Sequence, residues 1–194
     1  KLVQDLDYSV TYLSNKNVGT AKVVICGKGV YTNSLTKTFT IRPETMASAV
    51  ITGCKAKYSY TGKQVKPLIQ VVWNGKILRN NTDYTLLYKN NKKRGSAGIV
   101  VTGKGNYSGT LKASFTIVRA SVKKASVTGL KAVYARTGKA VKPKVTVKLG
   151  GKKLKKKRDY ILSYRKNKKK GTALLYVKGV GNYSGTKKMK FKIR

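Results

Sequence analysis

Chemistry in this chain must be built almost entirely from lysine. The densest cations are Lys152, Lys153, Lys155, Lys156, Lys157 and Arg158, then Lys166, Lys168, Lys169 and Lys170, then Lys188, Lys190 and Lys192. Ammonium groups are strongly hydrated point charges on flexible stems, and crowded together they attract a polyanion. General acid–base catalysis lacks its parts, because there is no histidine and Glu44 is the only glutamate. No acid pair recurs beside a nucleophile, and no metal-ligand spacing is present. The expectation is a non-catalytic segment without metal or cofactor.

One motif resembles a phosphate cradle: Gly103-Lys104-Gly105-Asn106-Tyr107-Ser108-Gly109-Thr110. A phosphate loop needs a helix N-terminus behind it. Here the alternating run Leu111 to Ile117 follows, which predicts a turn between strands instead. The motif returns at Gly179-Val180-Gly181-Asn182-Tyr183-Ser184-Gly185-Thr186 and, more weakly, at Gly27-Lys28-Gly29-Val30-Tyr31. Tyr31, Tyr107 and Tyr183 are spaced by 76 both times, as are Phe39, Phe115 and Phe191. The chain is therefore expected to be a tandem array. Residues 1–43 hold the C-terminal half of one repeat, 44–118 a second and 119–194 a third. Lys1 falls mid-repeat, so upstream domains of the same protein are expected.

The elements that must position these residues are strands. Tyr84, Leu86 and Tyr88, then Ala97, Ile99 and Val101, alternate in period 2, and Tyr8, Val10 and Tyr12 start the same pattern earlier. Asn74-Gly75 signals a hairpin, and turn residues recur every few positions. Short strands at this spacing predict an all-β fold of tandem immunoglobulin-like antiparallel β-sandwiches. The three strands of 1–43 cannot close a sandwich alone. No apolar run reaches membrane-spanning length.

Aromatic and sulfur residues are mostly committed to this frame. Of 13 tyrosines, only Tyr60 and Tyr176 lack a counterpart in another repeat, so the rest read as core and corner residues. Trp73 aligns with Leu149 and also reads as core. Cys26 aligns with the outward Thr102 and Lys178, Cys54 with Leu130, so no functional bond between the cysteines is expected.

The repeats are internal controls for charge. Lys+Arg number 6 in residues 1–43, 12 in 44–118 and 26 in 119–194, so the frame does not require the last value. Those 26 cations face one acid, Asp159, a net +25. Solubility of a small domain needs only about 2–8. With 36 lysines against 8 arginines, the attraction is diffuse rather than bidentate.

Asp159-Tyr-x-Leu-x-Tyr164, Asn167-Lys-Lys-Lys-Gly-Thr-Ala173, Gly179-x-Gly-Asn-Tyr-Ser-Gly-Thr186 and Phe191-x-Ile193 together resemble a tandem immunoglobulin-like repeat of Gram-positive secreted and surface proteins. The resemblance spans essentially the whole chain and implies an extracellular stalk or spacer. It favours an anionic cell-wall polymer (teichoic acid) or an acidic glycan as partner. An adhesion module for a host glycan or protein is the alternative, and a nonspecific nucleic-acid binder stands behind both. Such surface domains can carry a Lys–Asn isopeptide bond assisted by a buried acid, which draws attention to Asp7, Asp83 and Asp159. The simpler reading is a turn aspartate accepting backbone N–H groups.

Overall fold

A computed structural model describes the whole chain, Lys1–Arg194. It is all-β, with one 3-10 turn at Val122–Lys124 and no α-helix. The strands of residues 1–43 are β1 (Tyr8–Leu13), β2 (Gly19–Gly27) and β3 (Ser34–Ile41). Next come β4 (Glu44–Thr45), β5 (Val50–Thr52), β6 (Lys57–Ser59), β7 (Gln70–Trp73), β8 (Lys76–Leu78), β9 (Tyr84–Lys89), β10 (Gly95–Gly103), β11 (Tyr107–Ser108) and β12 (Thr110–Val118). The last are β13 (Ala120–Ser121), β14 (Ser126–Thr128), β15 (Val133–Tyr134), β16 (Thr146–Leu149), β17 (Lys152–Lys153), β18 (Tyr160–Arg165), β19 (Gly171–Gly179), β20 (Tyr183–Ser184) and β21 (Thr186–Ile193).

Sheet orders are β1-β2-β3, β5-β7-β8, β6-β12-β10-β9, β14-β16-β17 and β15-β21-β19-β18, with short ladders β4-β11 and β13-β20. Two compact units divide the chain. One comprises Lys1–Cys54, Leu68–Lys89 and Gly98–Ala113; the other comprises Lys55–Pro67, Asn90–Ala97 and Ser114–Arg194. Both draw on residues 44–118, so compactness does not follow the sequence period.

In the second unit, β14-β16-β17 and β15-β21-β19-β18 share one buried cluster. Val147 and Leu154 meet Ala173, Leu175, Val177 and Phe191 there. The alternating residues of β19 and β21 point outward, as a period of two demands. The Tyr134 ring stands edge-on to Phe191 at 5.3 Å, and its hydroxyl accepts from the Lys131 N–H at 2.9 Å. Tyr58 does the same with Phe115 at 5.2 Å and the Lys55 N–H at 2.8 Å.

The expected antiparallel pairing holds for the long ladders, not for all. β6 runs parallel to β12, β15 parallel to β21, and β4-β11 and β13-β20 are parallel as well. β15 follows β14 in sequence yet belongs to the other sheet, and this switch lays it alongside the final strand. The expected inward set of β1 also holds only in part. Tyr8 and Val10 are half-buried, whereas Tyr12 is 56% exposed; on β3, Phe39 is 41% exposed. Phe115 and Phe191 are each 2% exposed.

Candidate polyanion-binding surface

β16 and β17 form a hairpin over Gly150-Gly151, both at positive φ. Its register sets Lys148 opposite Lys153, and Leu149 opposite Lys152. The hairpin of β7 and β8, turned by Asn74-Gly75, sets Val72 opposite Ile77 at the corresponding place. Lys152 extends over the ring of Tyr60, 5.9 Å from its centroid. Tyr60, unmatched in sequence, packs edge-on to Tyr183 at 5.8 Å, so it is a packing residue rather than a stacking platform.

The next turn holds Lys155 to Arg158 and closes on Asp159. Asp159 Oδ2 accepts the Lys155 N–H at 2.9 Å, as Asp83 accepts from Arg79 and Asp7 from Val3, each at 2.8 Å. All three recurrent aspartates thus serve backbone N–H groups of a turn. Arg158 grips Asp159 with Nε and Nη2, both at 2.9 Å. This hydrogen bond holds the Asp159 carboxyl below its ordinary pKa against the opposing effect of burial, and raises that of Arg158. The Arg158 charge is therefore largely spent within the turn.

Two lysines occupy backbone conformations that side chains avoid. Lys157 has φ 70°, where the corresponding residues are Asp5 (69°) and Asn81 (67°). Lys166 has φ 54°, where the others are Ser14 and Asn90, both at 55°. Asn and Asp tolerate the left-handed region; lysine has no such compensation. Lys166 starts the exposed turn that carries Lys168, Lys169 and Lys170.

Lys188, Lys190 and Lys192 lie exposed on the outward face of β21, opposite Tyr176, Leu174 and Thr172. Sequence reasoning missed two cations on that face. Lys178 is outward on β19, and Arg165 is outward on β18 with its guanidinium 5.6 Å from the centre of the Tyr176 ring. Their period-2 positions were the available signal. The predicted residues therefore do not form one patch. Lys188, Lys190 and Lys192 share a sheet face with Arg165 and Lys178, Lys153 sits beside Lys148 on the three-stranded sheet, and Lys166 to Lys170 crown a turn. This is a cationic surface distributed over several faces.

The Gly-Asn-Tyr-Ser-Gly turns bind no helix terminus; strands begin at Thr110 and Thr186. Gly103 N–H reaches Gly109 O, and Gly179 N–H reaches Gly185 O, each at 2.9 Å. Asn106 accepts the Val18 N–H through Oδ1 and donates to Asn17 Oδ1, both at 2.8 Å. Cys26 is exposed on β2, as expected from Thr102 and Lys178, and Cys54 is half-buried. No helix is long and apolar enough to cross a membrane. No protein-family model, curated protein or solved structure matches the chain.

Proposed function

We propose that the chain is a non-catalytic stalk segment of an exported surface protein. Its tandem immunoglobulin-like sandwiches carry a last repeat that clings to an anionic cell-wall polymer of the teichoic-acid class. The observation that carries this reading is the placement of Lys157 and Lys166 at left-handed positions that Asp, Asn or Ser fills elsewhere. Cation is kept there against backbone preference, together with a Lys148–Lys153 pair that repels itself. Simple solubility does not call for charge at such positions. The tandem reading draws support from recurrence: β18 and β19 repeat the burial patterns of β9 and β10, and the sheet orders repeat with them.

Attraction through dispersed ammonium groups is screened by salt within about 8 Å at physiological ionic strength. Co-sedimentation with purified Gram-positive walls, before and after teichoic acid extraction and across a salt series, tests the reading. A companion variant restores middle-repeat residues: Lys153→Ile, Lys156→Asn, Lys157→Asn and Lys166→Asn. Retention should fall with extraction, with salt and in the variant. Retention indifferent to all three sinks the electrostatic anchor, and saturable binding to a glycan that survives salt would favour the adhesion alternative.

A further inference from the structure

β18 is the edge of its four-stranded sheet, and β17 is the edge of its three-stranded one. Between them the second unit opens a cleft of about 810 Å³. Its floor is apolar: Val145, Leu154, Tyr160, Leu162 and Tyr164. Tyr164 donates its hydroxyl to Pro143 O at 2.8 Å, so that phenol is occupied in fixing the wall. The remaining lining is Pro143 with Lys142, Lys144, Lys153, Lys155 and Lys156, with no acid among them.

The middle repeat shows what is special here. Seventy-six positions earlier the floor residues are Ile69, Leu78, Tyr84, Leu86 and Tyr88, so the apolar character is retained. The rim positions there are Lys66, Leu68, Ile77, Arg79 and Asn80, so two cations have become five. Charge has been gathered around an apolar opening whose size falls within the roughly 300–1,000 Å³ of small-molecule sites.

We propose that this cleft binds a small amphipathic anion: a single aliphatic chain on the floor and a carboxylate or phosphate head among the rim lysines. Polymer attraction explains lysines anywhere on the surface, but not their concentration around an apolar opening whose half-buried Leu162 and Val145 back onto the core. The inference does not rest on wall binding, and its test contains no polymer.

Calorimetric titration of the full chain with octanoate, decanoate and dodecanoate, each below its micelle concentration, is the experiment. One equivalent should bind, tightening by about fourfold for each added methylene. Acetate should not bind, and a neutral dodecyl maltoside should bind at least tenfold more weakly than dodecanoate. The double variant Lys144→Leu, Lys153→Ile carries residues the middle repeat already tolerates, and should lose about tenfold, a little more than 1 kcal/mol. Lys131→Asn with Lys139→Asn, outside the cleft, should change nothing. Val145→Ser should flatten the dependence on chain length. No binding, several equivalents per chain, affinity independent of chain length, or a loss as large in the Lys131/Lys139 variant would each overturn the site. Chain-dependent retention on phosphatidylglycerol vesicles without dodecanoate binding would overturn it in favour of a membrane headgroup surface.

Discussion

Lys148 and Lys153 stand directly opposite one another across β16 and β17, in the place where Val72 and Ile77 face each other across β7 and β8. Opposed like charges destabilise a ladder, while a β-branched pair supports it, each by about 0.2–1 kcal/mol. Lys148→Val with Lys153→Ile should therefore stabilise the protein by about 1 kcal/mol. Urea denaturation at low and high salt measures this. The gain should shrink as salt screens the repulsion in the parent protein. A gain of equal size at both salt concentrations would assign it to β-branched packing alone.

The left-handed lysines make a sharper case, because their cost lies in the backbone rather than in charge. Lys157→Asn and Lys166→Asn each introduce the residue found 76 positions earlier at a similar φ, Asn81 and Asn90. Each should stabilise by about 0.5–1 kcal/mol, seen as a rise in denaturation midpoint without a change in slope. Lys169→Asn removes the same charge from the turn of Lys166 at a residue without positive φ, and should stay within about 0.5 kcal/mol of the parent. If all three variants behave alike, net charge explains the effect and backbone conformation does not.

Much of this was legible in sequence, for definite reasons. Ala97, Ile99 and Val101, and their counterparts Ala173, Leu175 and Val177, are buried because long alternating strands carry their own periodicity. β6 and β15 have three and two residues, too few to show a period, so their parallel pairing could not be read. Phe39 and Phe191 sit in similar local sequence, yet their exposure differs because burial depends on what packs opposite. The conformation of Lys157 was hinted at by Asp5 and Asn81 in the same column. The cleft needed two edge strands brought together, which no single stretch of sequence records. The candidate cations stand out in the sequence, but their division over separate faces follows from sheet assignment alone.

Asp159 ties the basic turn to acid stability. Its carboxyl is lowered first by the Arg158 hydrogen bond, while burial works against that shift. A depressed folded pKa gives stability that is fully present above the unfolded value of about 3.9 and is lost as pH falls through the folded value. Asp159→Asn should cost about 1.5–3 kcal/mol at pH 7, the range for hydrogen bonds to a charged group. The difference from the parent should narrow steadily as the pH is taken below about 4. Denaturant titrations between pH 7 and 2 read it out, and a gap that persists unchanged would mean that shape, not ionisation, sets the contribution.

Phe39 and Phe191 offer a direct comparison between the two units. Phe191 is 2% exposed and packed edge-on to Tyr134, so Phe191→Ala leaves a cavity in a filled core. The expected cost is about 3–5 kcal/mol. Phe39, on β3, is 41% exposed. Truncating it removes partly solvated surface and leaves little void, so the cost should be about 1 kcal/mol. Because the units need not unfold together, native-state amide exchange should be followed at β19 for Phe191→Ala and at β2 for Phe39→Ala, the strands that pair with theirs. A Phe39→Ala cost approaching that of Phe191→Ala would show that the Phe39 side chain is covered in solution. A small cost leaves Tyr12 and Phe39 as solvent-facing residues of a sheet held mainly by its own ladders.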